Sequence, residues 1–288
     1  QAFLRAAVHP VLDAACGRTK SQGGLIRMIL RRLGNKAKIA EKIYKTFPKH
    51  HVYLEPFFGT GSMYFLKPKA MHNIVNDLDD DVFNLWNVYA HKWEQLLEAI
   101  QSMPKSESLF NHWKKNKESD EVLKALRFLM LSNFAVFGSG SFIIECANSK
   151  KVLLEKYIQA IGLMNDTVFI NKDFRIFYKN LKYTSFYEIN NFTVMSYNDP
   201  PYLGTGNNYS NSFKEQDSID LFNINCNIAN KYPSKYYFAI SEYKNEFIES
   251  LAKERNLNII EIGEQRSINS RNTEILITNY ETERSLFD

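Results

Sequence analysis

The chain has 288 residues and a mass of 33.6 kDa, 44% of it hydrophobic and 24% charged, a balance that excludes a disordered or fibrous protein. Every apolar run falls short of the roughly 20 residues a membrane span needs, and three scattered cysteines, Cys16, Cys146 and Cys226, exclude a disulfide framework and fit a reducing cytoplasm. A formal charge of +4 and a pI near 8.7 leave a polyanionic partner open without requiring one.

Residues 1–27 differ from the rest of the chain. They carry a Gly-Gly pair at Gly23 and Gly24, offer no strand, and read as an extension that is either non-native or disordered, with Met28 as the candidate natural start. A helix over "AFLRAAVHPVLDAAC" is the alternative, and no function is assigned there. From Met28 the chain alternates. Short β-rich runs occupy 51–55, 72–76, 167–171, 192–198, 236–241, 257–262 and 274–280. Helical periodicity covers 36–47, 82–101, 121–134, 151–163, 218–231 and 244–255. Such alternation predicts an α/β fold, a mostly parallel sheet covered by helices. Residues 82–164 break the pattern with helices and little strand, so they read as an inserted helical subdomain between 28–81 and 165–288. The last two strands, joined by "GEQRSINSRNT", predict an antiparallel C-terminal hairpin at the sheet edge.

Two motifs carry chemistry. In "MSYNDPPY" the prolines cannot continue a ladder, so the strand stops and presents Asp199, the rigid carbonyl of Pro200, Pro201 and the ring of Tyr202 together. After the first strand, "EPFFGTGS" places Gly59 and Gly61 where a strand turns into a helix, and Asp77 lies at the end of the second strand. A glycine loop with an acid one strand on suits a nucleoside ligand, and the absence of a third glycine disfavours a nicotinamide dinucleotide. An adenosyl ligand across the strand ends would lie beside Asp199. An exocyclic amine, a poor nucleophile, would donate to the Asp199 carboxylate and the Pro200 carbonyl, while Tyr202 stacks on an extruded base. No metal is needed. The run Asp79, Asp80, Asp81 reads as a helix cap and first turn.

On the strength of these residues, the chain from Met28 onward resembles the Dam-type family of S-adenosylmethionine-dependent DNA adenine methyltransferases. "RRLGNKAKIAEKI", "LEPFFGTGS", "VNDLDDDVFNLWNVY", "INKDF", "NDPPY", "YFAISEYKN" and "QRSINSRNTEILITNY" are similar to its motifs in the order that family uses. The resemblance implies a class I, Rossmann-like catalytic domain with the insertion as target-recognition domain, and S-adenosylmethionine as cofactor. It implies cofactor contacts from Arg32, Gly34, Lys36, Glu55, Pro56, Phe57, Gly59, Gly61, Ser62, Asp77, Asp173, Phe174 and Asp199. The implied reaction is methylation of adenine N6 in double-stranded DNA, after base flipping, by direct in-line transfer. Cytosine-N4 or RNA adenine methylation, and a non-catalytic DNA-binding module, are the alternatives.

In the insertion, Lys114, Lys115, Lys117, Lys150 and Lys151 are candidates for neutralising phosphates, and the turn containing Ser139 for entering a groove; a solvated face is the alternative for each. Tyr209 or Phe213, in the loop after the catalytic motif, is a candidate for filling space over a flipped base. Two departures from the family stand out. Arg32-Leu33 replaces an aromatic residue before Gly34, and "FLMLSNFAVFGSGSFIIECANSKK" is shorter than the hairpin that reads GATC, so GATC is not predicted. The expected setting is the cytoplasm of a bacterium or phage-infected cell, with activity on the nucleoid. The expected state is a monomer or weak dimer, without membrane contact, with a cognate restriction endonuclease as a candidate partner.

Overall fold

The computed structural model describes residues 39–134, 149–183, 185–189, 191–203, 213–266 and 271–282. They form two compact units, one of residues 84–165 and one of the remainder, with the boundary inside a helix, between Phe83 and Asn84.

The larger unit is built on a seven-stranded sheet: β1 (Val52–Glu55), β2 (His72–Asn76), β3 (Thr167–Ile170), β4 (Val194–Asn198), β5 (Tyr236–Tyr243), β6 (Asn258–Arg266) and β7 (Arg271–Thr278). Their order is β3-β2-β1-β4-β5-β7-β6. Strands β1 to β5 pair in parallel, and β7 runs antiparallel to both its neighbours. This is a Rossmann-like α/β fold. The antiparallel hairpin forms the edge, with β7 tucked against β5 and β6 outermost. Every residue of β1 and β4 is buried, as expected of parallel strands covered on both faces, which read in sequence as short unbroken runs.

Side-chain alternation divides the sheet. On one face Val52, Leu54, Val194, Phe238, Ile240, Ile275 and Ile277 join a core with Phe174 and Phe177 of α8 (Phe174–Asn180), Leu221 and Phe222 of α9 (Glu215–Lys231), and Ile248 and Leu251 of α10 (Glu246–Glu254). Each such side chain contributes about 1.5–3 kcal/mol by leaving water. On the other, Tyr53 and Tyr197 pack their rings on Phe47, just past α1 (Ala40–Lys45), at centroid distances of 6.5 and 5.7 Å. From the adjacent pair β1 and β4 the chain crosses over in opposite directions, to β2 and to β5. That reversal opens a crevice at their carboxyl ends, where sheets of this type bind ligands.

The smaller unit is helical: most of α3 (Asp80–His91), then α4 (Trp93–Ser102), α5 (Glu107–Lys115), α6 (Glu121–Phe134) and α7 (Ser149–Gln159). Its core holds Trp86, Tyr89, Leu97, Ile100, Phe110, Trp113, Leu129 and Tyr157. Tyr89 and Tyr157 meet edge to face at 4.7 Å, and the Tyr89 hydroxyl donates to the Tyr157 carbonyl. Sequence periodicity did not single out α5, which begins where the Ser106 hydroxyl accepts from the Leu109 N–H and ends where the buried Arg127 guanidinium donates to the carbonyls of Trp113 and Asn116. Among the described residues no helix is long and apolar enough to cross a membrane.

Candidate active site

The loop after β1 forms the first wall of the crevice. Gly61 sits at φ +68° in the left-handed region, and a Cβ there would lie 2.8 Å from the Phe58 ring, so only glycine fits. It precedes the one-and-a-half-turn helix α2 (Ser62–Leu66), whose Ser62 hydroxyl bonds to that of Thr60 at 2.8 Å. Gly59, at φ +50°, differs: a Cβ there would have no atom of the described residues within 4 Å, so the turn forms an open cradle among them. Asp77 fixes that cradle from the tip of β2. One carboxylate oxygen accepts from the Gly59 N–H at 2.7 Å and the other from the Asp79 N–H at 2.9 Å. Asn76 stitches three strand ends: its amide donates to the carbonyls of Pro56 and Lys172, and its oxygen accepts from the Lys172 N–H. Asp79 in turn caps α3, accepting from the N–H groups of Asp81 and Val82 as the acidic run predicts.

The structure brings Phe57 and Phe174 together at 5.5 Å, and Phe213 completes the trio at 5.9 and 6.1 Å. Asp173 caps α8 through the Arg175 N–H. The Arg175 guanidinium stacks 4.4 Å over the Phe174 ring and pairs with Asp173, Asp217 and Asp220, which ties α8 to α9. Glu55 is only 2% exposed. Its carboxylate accepts from the Tyr53 hydroxyl at 2.9 Å, and burial pushes its pKa well above the usual carboxylate range. Lys67, which sequence reading passed over, lies 3.8 Å over the Tyr53 ring and donates to Asn73 and Pro68. Burial pushes its ammonium down to about 7.

Strand β4 forms the second wall. Asn198, Asp199, Pro200, Pro201 and Tyr202 stand in line, with Asn198 and Pro200 buried and Asp199, Pro201 and Tyr202 half-buried. Beneath them lies a buried polar network. The Tyr178 hydroxyl donates to Asn198 Oδ1 at 2.7 Å and bonds to the Ser196 hydroxyl at 2.7 Å, while Asn198 Nδ2 donates to the Ala239 carbonyl. The Tyr236 hydroxyl donates to Asn225, whose amide donates to the Leu221 carbonyl. Burial pushes the Tyr178 phenol up to about 12, so it remains a donor at neutral pH. Tyr202 is held from β7: its hydroxyl donates to Glu274 Oε1 at 2.6 Å, and its ring meets that of Tyr243 at 4.3 Å, nearly perpendicular.

Within the larger unit, then, Glu55, Pro56, Phe57, Gly59, Gly61, Ser62, Asp77, Asp173 and Phe174 belong to the ends of β1 to β3, and Asp199 to Tyr202 to the end of β4. Arg32, Gly34, Lys36, Ser139 and Tyr209 lie outside the described residues. In the helical unit, Lys114, Lys115, Lys117 and Lys151 are exposed. Lys150 is engaged otherwise, donating at 2.6 Å to the carbonyls of Gln101 and Met103 at the end of α4. Sequence reading missed Asn76, Asn198, Lys67 and Glu274. Asn76 and Asn198 stand directly before the acids it chose, and Glu274 lies inside "QRSINSRNTEILITNY".

The model of the D12 class N6 adenine-specific DNA methyltransferase family matches residues 33–268, which take in both walls up to β6. The chain belongs to this family. It is similar to the DNA adenine methylase of Escherichia coli K12, 25% identical over 118 residues, and equally to that of Salmonella typhimurium LT2. These alignments span 39% of this chain and 42% of the relatives, less than half of either. Among solved structures it is similar to Trm5b from Pyrococcus abyssi, with 11% identity, 86% of this chain and 49% of that one covered, and a TM-score of 0.35. For this D12 family member, the family match covers the glycine loop, Asp77 and the Asp-Pro-Pro-Tyr tip but stops before Glu274.

Proposed function

We propose that this D12 family member transfers a methyl group from S-adenosylmethionine to the N6 amine of adenine in duplex DNA, and that the adenine is flipped out of the helix to receive it. The observation that carries this reading is the pairing of β1 with β4. One strand ends in a glycine cradle fixed by Asp77, and its neighbour ends in Asp199-Pro200-Pro201-Tyr202. The residues fit the cofactor: Gly59 leaves room for close approach, Asp77 is the acid for ribose hydroxyls, and Phe57, half-buried against the buried Phe174, supplies an aromatic face for an adenine. When bound, S-adenosylmethionine supplies a methyl group on a positively charged sulfur, ready for displacement.

The chain's own residues do the rest. Asp199 and the Pro200 carbonyl accept the two N–H bonds of the target amine, which fixes its direction and localises its lone pair toward the methyl carbon. With S-adenosylmethionine bound, the lone pair so directed would take the methyl group in line, the S–C electron pair staying with the departing sulfur. The amine then carries an extra proton, which Asp199 is placed to accept. Tyr202 offers its ring to the flipped base. Lys114, Lys115, Lys117 and Lys151 of the helical unit, exposed in the structure, are the candidates for phosphate contacts.

The test is single-molecule sequencing of DNA from a methylation-deficient host that expresses the chain or its Asp199→Ala variant. Modified adenines in one short motif, absent with the variant, are expected, while calorimetry shows S-adenosylmethionine binding by both proteins. Unmodified DNA from the folded, cofactor-binding chain refutes the reading.

A further inference from the structure

We propose that Glu274 is a positioning residue for Tyr202: it sets the ring on which the flipped adenine stacks and makes that ring a better seat for the positive charge that methyl transfer creates. The inference rests on the methyltransferase reading above and adds to it a residue beyond the family match.

Glu274 is fully buried, in a strand whose next three residues, Ile275, Leu276 and Ile277, are also fully buried. A carboxylate in such a row costs several kcal/mol unless it is well paired. It accepts from the Tyr202 hydroxyl at 2.6 Å, within the range of a charge-assisted O–H···O⁻ bond. The two prolines fix the direction of the chain into Tyr202, but they leave its side-chain torsions undetermined. Two contacts among the described residues bear on them. The hydroxyl is tied to Glu274, and the ring edge rests on Tyr243, which lies directly opposite Glu274 in the β5–β7 register.

The chemistry gives this clamp a purpose beyond orientation. As the new N–C bond forms, positive charge passes to the adenine and stays until the amine proton leaves. A cation over an aromatic face is stabilised by the ring's electron density. A phenol that donates to a carboxylate is more electron-rich than a free phenol, so Glu274 enriches the face of Tyr202 without touching the base.

The test compares the full chain with Glu274→Gln, Tyr202→Phe and the double variant, on a duplex carrying the motif found by sequencing. Gln keeps the shape of Glu274, and Phe keeps the ring of Tyr202. Each single variant is expected to lower the single-turnover rate about tenfold, with S-adenosylmethionine affinity unchanged. The double variant is expected to be no slower than the slower single, because Gln leaves Tyr202 only a neutral acceptor and Phe leaves no donor, so both abolish the same charge-assisted bond. A merely structural role would lower the melting temperature and leave the rate of the folded fraction intact. Tyr202→Phe at the half-buried position decides the matter if Glu274→Gln does not fold. Single variants within about twofold of the parent, or losses that multiply in the double, overturn the inference alone. A parent chain that methylates no DNA overturns the function reading, and this inference with it.

Discussion

On the β1–β2 wall of the crevice, the candidate ligand-binding groups are held by the backbone: the Gly59 and Asp79 N–H groups both donate to Asp77, and Asn76 bridges main-chain carbonyls. On the β4–β7 wall they are held by side chains distant in the chain: Tyr202 by Glu274, 72 positions away, and Asn198 by Tyr178. The first wall therefore depends on conformation and is vulnerable where a glycine is lost. The second depends on the chemistry of particular side chains and is vulnerable wherever a donor or acceptor is removed.

Three measurements sharpen that contrast. The largest effect belongs to Gly61→Ala, which combines a left-handed backbone with a Cβ 2.8 Å from Phe58 and is expected to cost about 3 kcal/mol in urea unfolding. Gly59→Ala, with no atom of the described residues within 4 Å of its Cβ, is expected to cost about 1 kcal/mol while weakening cofactor binding. Equal losses at the two glycines would remove the distinction between packed turn and open cradle. Next comes Asn198→Ala on the opposite wall, which strips the buried Tyr178 hydroxyl of an acceptor and is expected to cost about 2 kcal/mol. Turnover should fall with cofactor affinity unchanged, and a variant as stable and as active as the parent would show that the network does not hold the β4 tip.

The third measurement is a pH dependence at Lys67, beneath the first wall. Burial lowers its pKa to about 7 in the folded chain, well below the lysine value of the unfolded chain, so between these limits the unfolded state holds more protons and stability rises with pH. Below about pH 7 the full cost of a charged, buried ammonium falls on the folded state. Unfolding of Lys67→Met at pH 7 and 9 should show a gain smaller than the parent's by about 2 kcal/mol. Parallel pH profiles for the two proteins would contradict the assignment.

The strands were legible because buried parallel strands leave short apolar runs with turn signals on each side; "HNIVN" gives β2 residue for residue as His72–Asn76. The hairpin was legible at 257–262 and 274–280, but its ends nearest the turn were not, because beyond the register shift between Glu261 and Gly263 they carry polar residues, Glu264, Gln265 and Arg266 opposite Thr273, Asn272 and Arg271. Helix α5 was hidden by its lysines and read as a basic patch, although Ser106 as cap and Phe110 and Trp113 three apart on the buried face were available as signals. In the site, the acids and glycines were legible because their chemistry is tied to local geometry. Glu274 and Lys67 were not, since a charged residue betrays burial only once the fold supplies its partner.

The place of β7 has a consequence for synthesis. Because this strand comes last in the sequence of the sheet yet pairs between β5 and β6, its groups reach their partners only after every other strand has emerged. The glycine cradle, made wholly from earlier segments, can form on the ribosome while Tyr202 still lacks its anchor. On the function proposed above, nascent chains would thus acquire the means to hold a methyl donor before they acquire a finished surface for its acceptor, and the last strand would complete the site.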